Sequence, residues 1–187
     1  TTTLAAGSYK TGQVIPINIQ FNENVVVTGT PVLTLNTTPT HRVVNFTSVT
    51  ANNARFDYTV QATDTASVLE TLSTAALTLN GGTIKDIVGN VALLTLPTPT
   101  GAHSLSIGKT IVIDTTDPVA AIDTHPLAVT TSTSGNFTFS GTDAGGSGVS
   151  SFVCQLDAAA YAACTSPTNL TALAGGSHTF SVKAVDL

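Results

Sequence analysis

The chain reads as all-β, with two β-sandwich domains in tandem, residues 1–116 and 117–187. Three observations lead there. Short apolar runs alternate with period two and are separated by Gly, Asn and Pro turns at regular, short spacing. Only 9% of the 187 residues are charged, so Thr, Ser and Asn must supply the polar surface, and these suit strands and turns better than helices. Finally, Lys109-Thr-Ile-Val-Ile-Asp-Thr-Thr-Asp-Pro118 reads as a β-branched strand stopped by a rigid acidic connector. Pro118 has no N–H for a ladder and drives Asp117 out of the helical region.

Taken in order, Gln13–Phe21 turns Ile15, Ile17, Ile19 and Phe21 to one face and Pro16, Asn18 and Gln20 to the other. That is the pattern of a half-buried strand, with Pro16 marking an edge or a bulge. Val25–Val27 and Pro31–Leu35 follow around Thr28-Gly29-Thr30. Arg42–Thr47 and Ala54–Gln61 form a pair joined through Thr50-Ala-Asn-Asn53, with Phe56, Tyr58 and Val60 on one face. Ala76–Leu79 enters the turn Asn80-Gly81-Gly82 and leaves through Thr83-Ile84-Lys85. Val91–Leu96 and Lys109–Ile113 complete about eight strands. Val68, Leu69 and Leu72 lie near helical spacing, but Thr63, Thr65 and Thr71 limit any helix in Asp64–Leu79 to a turn or two.

Several of these segments carry a resemblance. Gly7-Ser-Tyr-Lys-Thr-Gly12 through Glu23–Leu35, Phe56-Asp-Tyr-Thr-Val60, Leu77–Asp86, Gly89-Asn90 and Ile111-Val-Ile-Asp114 resemble, in this order, the repeated immunoglobulin-like domains of large bacterial surface and exported proteins. The resemblance covers nearly all of residues 7–118. It implies an immunoglobulin-like sandwich that serves as a spacer in an adhesin-like protein, outside the cell or on its surface, with neighbouring repeats of the same chain as partners. Fold alone does not fix function.

Past the connector, Val119–Val129 should hold the first strand of the second domain. Gly135–Ser140 alternates with Phe137 and Phe139 inward, and Asp143-Ala-Gly-Gly-Ser-Gly148 is a turn. Ser151–Leu156, Asp157–Ala160 and Tyr161–Cys164 read as a hairpin, and His178–Ala184 turns Phe180 and Val182 inward. From Cys154 to Leu187 the chain resembles another exported immunoglobulin-like repeat with a cysteine pair flanking a hairpin. Such repeats continue beyond a motif like Val185-Asp-Leu187, so the second domain is expected to lack its last strand and to expose a sheet edge. The N-terminal Thr1-Thr-Thr-Leu-Ala-Ala has no signal-peptide pattern, and with no Met at position 1 the chain reads as a section of something longer.

Cys154 and Cys164 are the only cysteines. Their even separation lets them face each other across a hairpin with a three-residue loop centred on Ala159, whereas a two-residue turn would displace them. Two readings stand, a disulfide, which suits an exported chain, and two buried thiols acting as small hydrophobes. The four scattered histidines and the single cysteine pair do not make a zinc site.

Hard oxygen ligands beside a connector are how calcium stiffens tandem extracellular domains. Asp114 and Asp117 bracket the joint, and Glu23, Asp64, Glu70, Asp86 and Asn90 lie in loops of the first domain, making these seven the candidate calcium ligands. The competing reading has Asp86, Asp114 and Asp117 capping turns through their own backbone. No catalytic pattern is present. Gly146-Ser147-Gly148 and Gly175-Gly-Ser-His178 lack the nucleophile elbow, and Glu23 and Glu70, the only glutamates, sit in no recognisable active-site motif. The chain is expected not to be an enzyme.

A net charge of −5 gives no basic footprint for nucleic acid, and no run of 18 apolar residues is available to span a membrane as a helix. The alternative to a spacer is a binding module whose sandwich-end loops hold a host or prey protein or a glycan. The absence of Trp and the scarcity of Tyr disfavour a sugar platform.

Overall fold

Alternating β-branched and aromatic residues with few helix formers give an all-β chain without a helix. The computed structural model describes residues 1–187. By its contacts the chain divides into two compact units, Thr1–Thr115 and Thr116–Leu187.

The first unit holds nine strands: β1 Gly7–Tyr9, β2 Val14–Gln20, β3 Val25–Thr28, β4 Val32–Thr34, β5 Val43–Thr50, β6 Asn53–Thr59, β7 Leu77–Thr78, β8 Thr83–Asp86 and β9 Ile111–Ile113. Five form one sheet in the order β2-β6-β5-β4-β7, while β3 pairs with β8 and β1 with β9. Ile15 and Ile17 of β2 lie opposite Tyr58 and Phe56 of β6, and all four are buried. Pro16 sits where an edge strand tolerates it, since β2 ends the named order. β1 and β9 run parallel, Gly7 opposite Ile111, so the first and last strands of the unit close on each other. Leu33, Leu35, Leu69, Ile84, Ile111 and Ile113 complete a core with almost no solvent exposure.

One expectation changes here and two become more definite. Val91–Leu96 is not a ladder strand. It makes one bridge, Val91 to Lys85, although its side chains still alternate, Leu96 buried and Leu93 exposed. An extended chain lying on a core shows period two whether or not a neighbour supplies hydrogen bonds. The near-helical spacing in Asp64–Leu79 yields no helical turn; Thr65, Ala66 and Thr71 bridge instead to Thr38, Ile113 and Leu35. The turn at Asn80-Gly81-Gly82 does not make a hairpin, because β7 pairs with β4 and β8 with β3.

That turn carries the chain between sheets and packs backbone to backbone against the Thr28-Gly29 turn. A Cβ on Gly82 would lie 2.2 Å from the Thr28 carbonyl oxygen, an atom that cannot swing away. Gly82→Ala is therefore expected to cost the first unit about 2–3 kcal/mol, readable as a lowered melting temperature, whereas Gly12→Ala meets no atom within 4 Å and faces only the left-handed backbone penalty.

The second unit has six strands: β10 Val119–Thr124, β11 Gly135–Thr142, β12 Val149–Leu156, β13 Ala162–Cys164, β14 Thr168–Leu170 and β15 Phe180–Asp186. They form two three-stranded sheets, β10-β11-β14 and β13-β12-β15. Strand β14 is not foreseen from the sequence, as three residues after Ser166-Pro167 carry too short an alternation. Phenylalanines join the sheets: Phe137 stacks on Phe180 with centroids 4.2 Å apart, and Phe139 meets Phe152 edge-on at 5.1 Å. Among the large apolar side chains of this unit only Phe139 is buried, so its core is far thinner than that of the first.

Candidate functional site

The acidic residues singled out as calcium ligands divide into groups with different duties. Asp64 follows β6 and is completely buried. Its Oδ1 accepts Arg42 Nε at 2.7 Å and lies 2.6 Å from Arg42 Nη2. Its Oδ2 accepts the Tyr58 hydroxyl at 2.7 Å and the Gln61 N–H at 3.1 Å. Burial pushes this carboxyl up, but the bonds from Arg42, Tyr58 and Gln61 outweigh it and hold the group below the ordinary Asp value. The same burial, with the adjoining carboxylate, drives the Tyr58 phenol far above its ordinary range.

Glu70 is 1% exposed and has no ion-pair partner within contact distance. The loop before β9 wraps it instead: Oε1 accepts the N–H groups of Thr100 at 3.2 Å and Ser106 at 2.9 Å, and Oε2 that of Leu105 at 3.2 Å. Desolvation raises its pKa, and the bonds from Ser106 and Thr100 bring it below the ordinary Glu value. Asp86 and Asn90 do come together, as a turn cap. Asp86 Oδ1 accepts the N–H groups of Val88 and Asn90, and Oδ2 the Asn90 side-chain amide at 2.7 Å.

Donors already fill Asp64, Glu70 and Asp86, and N–H groups converging on an oxygen repel a cation. These positions serve the fold, which is the turn-capping alternative for Asp86. Glu23 is exposed in the β2–β3 loop, Asp117 is exposed beyond β9, and Asp114 is 3% exposed with its N–H bonded to the Tyr9 carbonyl. No three of the six candidate carboxylates bring oxygens within 4.8 Å of one another.

Cys154 and Cys164 form the disulfide, with Cα atoms 5.7 Å apart. The strand register places Cys164 opposite Phe152 and Cys154 opposite Ala162, so the sulfurs join diagonally on one face rather than across a direct pair. The tight turn at Asp157-Ala158, closed by the Ala159 N–H to the Leu156 carbonyl at 3.1 Å, sets that offset. Closing so small a loop is worth about 2.8 kcal/mol in loop-closure entropy. Reduction by dithiothreitol is thus expected to destabilise residues 116–187 by about that amount while leaving the first unit's unfolding transition in place, read by hydrogen exchange of peptides from each unit.

Two features of the second unit have little or no signal in the sequence. The carboxylates of Asp143 and Asp186 approach within 4.8 Å. Asp143 accepts the Thr116 hydroxyl at 3.0 Å and the Gly148 N–H at 2.7 Å, and Asp186 accepts the Ser147 hydroxyl at 3.1 Å. The glycine-rich turn Asp143–Gly148 is the only local hint there. At the other end of the same unit, loops 125–134 and 171–178 flank an open cavity of about 850 Å³ with apolar side chains such as Phe137, Leu156, Leu173 and Phe180 on its floor and polar ones such as Thr130, Ser132 and Ser177 in its loops.

No family model, curated protein or solved structure matches the chain.

Proposed function

We propose that the chain is a pair of immunoglobulin-like spacer modules from a bacterial surface or exported adhesin-like protein, non-catalytic, with neighbouring repeats as its partners. The observation that carries this reading is the connection: β9 ends at Ile113, β10 begins at Val119, and the connector Asp114–Pro118 carries a proline. Two all-β units follow each other through a link too short and too restricted to behave as a floppy tether. The disulfide supports an oxidising, extracellular setting, and the ionised side chains buried in the first unit support stiffness rather than chemistry.

Calcium is proposed with this reading as the ion that stiffens the joint. X-ray scattering with calcium and with a chelator tests this. A longer maximum dimension and a higher melting temperature in calcium support it; identical envelopes and melting points reject it. Spacer character itself is tested by single-molecule extension, where two separate unfolding steps are expected. A single merged step would count against two mechanical modules.

One observation favours a second reading, an adhesive module for a host or prey protein or glycan: the open cavity lies among sandwich-end loops, where binding surfaces are built. A glycan and matrix-protein array separates the two readings, since a ligand lost on substitution of Leu127 and Leu173 would replace the spacer assignment.

A further inference from the structure

Both nitrogens of the His178 ring face oxygens. Nδ1 lies 2.8 Å from Asp157 Oδ2, and Nε2 lies 3.0 Å from the Ala174 carbonyl. A carboxylate and a carbonyl accept hydrogen bonds and cannot donate them. A ring that satisfies both must carry a proton on each nitrogen, because a neutral imidazole would aim a lone pair at one of the two oxygens.

We propose that imidazolium His178 is a proton-operated latch that closes the segment 171–178 over the apolar interior of the second unit, and that loss of one ring proton releases it. The parts are in place on both sides. Asp157 is itself anchored, its Oδ1 accepting the Thr179 N–H at 2.7 Å and its own N–H bonding the Thr179 carbonyl at 2.7 Å. The far end of the segment is tied by the Leu173 N–H to the Thr133 carbonyl at 2.9 Å. Between the two ties lies Gly175-Gly176, with Gly176 at φ +144°, a backbone free to swing once either tie is lost. Leu173, Ala174 and His178 form part of the cavity wall, so their departure exposes apolar surface.

Asp157, from the β12–β13 turn, is the charged group facing the ring. His125, from the β10–β11 loop, lines the same cavity with its Nδ1 2.8 Å from the Pro126 carbonyl. Lys183, on β15 itself, sits 4.3 Å over the Tyr161 ring. The Ala174 carbonyl and Asp157 together hold the His178 pKa above the ordinary His value, and His178 in turn, with the Thr179 N–H, holds Asp157 below the ordinary Asp value. A folded-state pKa raised above the unfolded value contributes stability that is complete below the unfolded pKa of 6.5 and vanishes as pH rises through the folded one. The latch is shut below the ordinary His pKa and opens as pH rises through the raised folded one.

The test uses the full chain across a range of about pH 5.5–9, bracketing the His titration. NMR gives the His178 titration, hydrogen exchange of residues 171–178 reports opening, and Nile red, an uncharged dye, reports apolar exposure. Exchange and dye fluorescence are expected to rise together with the His178 midpoint. Asp157→Asn keeps an oxygen for the Thr179 N–H yet removes the charge, and should move all three midpoints to lower pH by the same interval. His178→Gln should abolish the pH dependence, and His125→Gln should leave it intact. The proposal is overturned if His178 titrates while exchange of 171–178 stays flat, if the Asp157→Asn midpoints do not move together, or if the pH dependence follows His125.

Discussion

Asp64→Ala is expected to destabilise the first unit by about 3–5 kcal/mol, the cost of breaking a buried pair by removing one partner. Its two oxygens gather the Arg42 guanidinium from just before β5, the Tyr58 hydroxyl from β6 and the Gln61 N–H. Tyr58 is 2% exposed, so its hydroxyl would be stranded without an acceptor, while Arg42, partly open to solvent, can rehydrate. A loss near the upper figure is a large share of a typical domain's stability. Thermal unfolding monitored by hydrogen exchange over residues 1–115 provides the check, and Asp64→Asn separates the contributions, because its amide oxygen keeps one acceptor while its NH₂ opposes Arg42 or Tyr58. Asn is expected to recover less than half of the loss. A change below about 1 kcal/mol for Ala would mean that the network is replaced at no cost by water.

Glu70→Gln should cost about 3 kcal/mol, and Glu70→Leu more, since three backbone N–H groups end on this carboxylate and each left buried without an acceptor costs about 1–3 kcal/mol. The Gln side chain retains one oxygen and turns an NH₂ group toward the remaining donors. Loss of the anchor should appear first in the segment it holds, so amide exchange at Thr100–Ser106 is expected to accelerate before the rest of the unit. If the whole unit exchanges uniformly while that loop stays protected, the carboxylate is not what organises the loop.

Both carboxyls have folded pKa values below their ordinary 3.8 and 4.5. Their contribution is therefore present above those values and is lost as pH falls through the lower folded ones. The first unit should hold its melting temperature from neutrality down to about pH 5 and lose it below about pH 4. The second unit should behave oppositely, gaining stability as pH falls through the raised folded His178 pKa and the ring takes up its second proton. Calorimetry across pH can resolve both trends in one protein.

Ile15, Ile17, Phe56 and Tyr58 are opposed and buried as their alternation requires, and Pro16 stands on an edge. Alternation by itself misleads at Val91–Leu96, where the pattern runs on although only Val91 bridges to β8, at Lys85. The Asn80-Gly81-Gly82 turn is legible, but not that it crosses between sheets. Asp64 and Glu70 read from the sequence as loop acids available to calcium, because Arg42, 22 positions from Asp64, and the N–H groups 30–36 positions from Glu70 are not local. His178 reads from the sequence as a packing or surface residue, since nothing local announces Asp157, 21 positions earlier.

Side-chain alternation, β-branching and turn residues are properties of consecutive positions, so the sequence by itself determined an all-β chain, the location of most strands and the cysteine hairpin. Which strands pair, which carboxylates are filled by N–H groups and which histidine meets two acceptors depend on chain segments brought together only by burial of the core. Hydrogen bonds are short-ranged and directional, and for that reason the tertiary structure alone decided the duties of the polar residues.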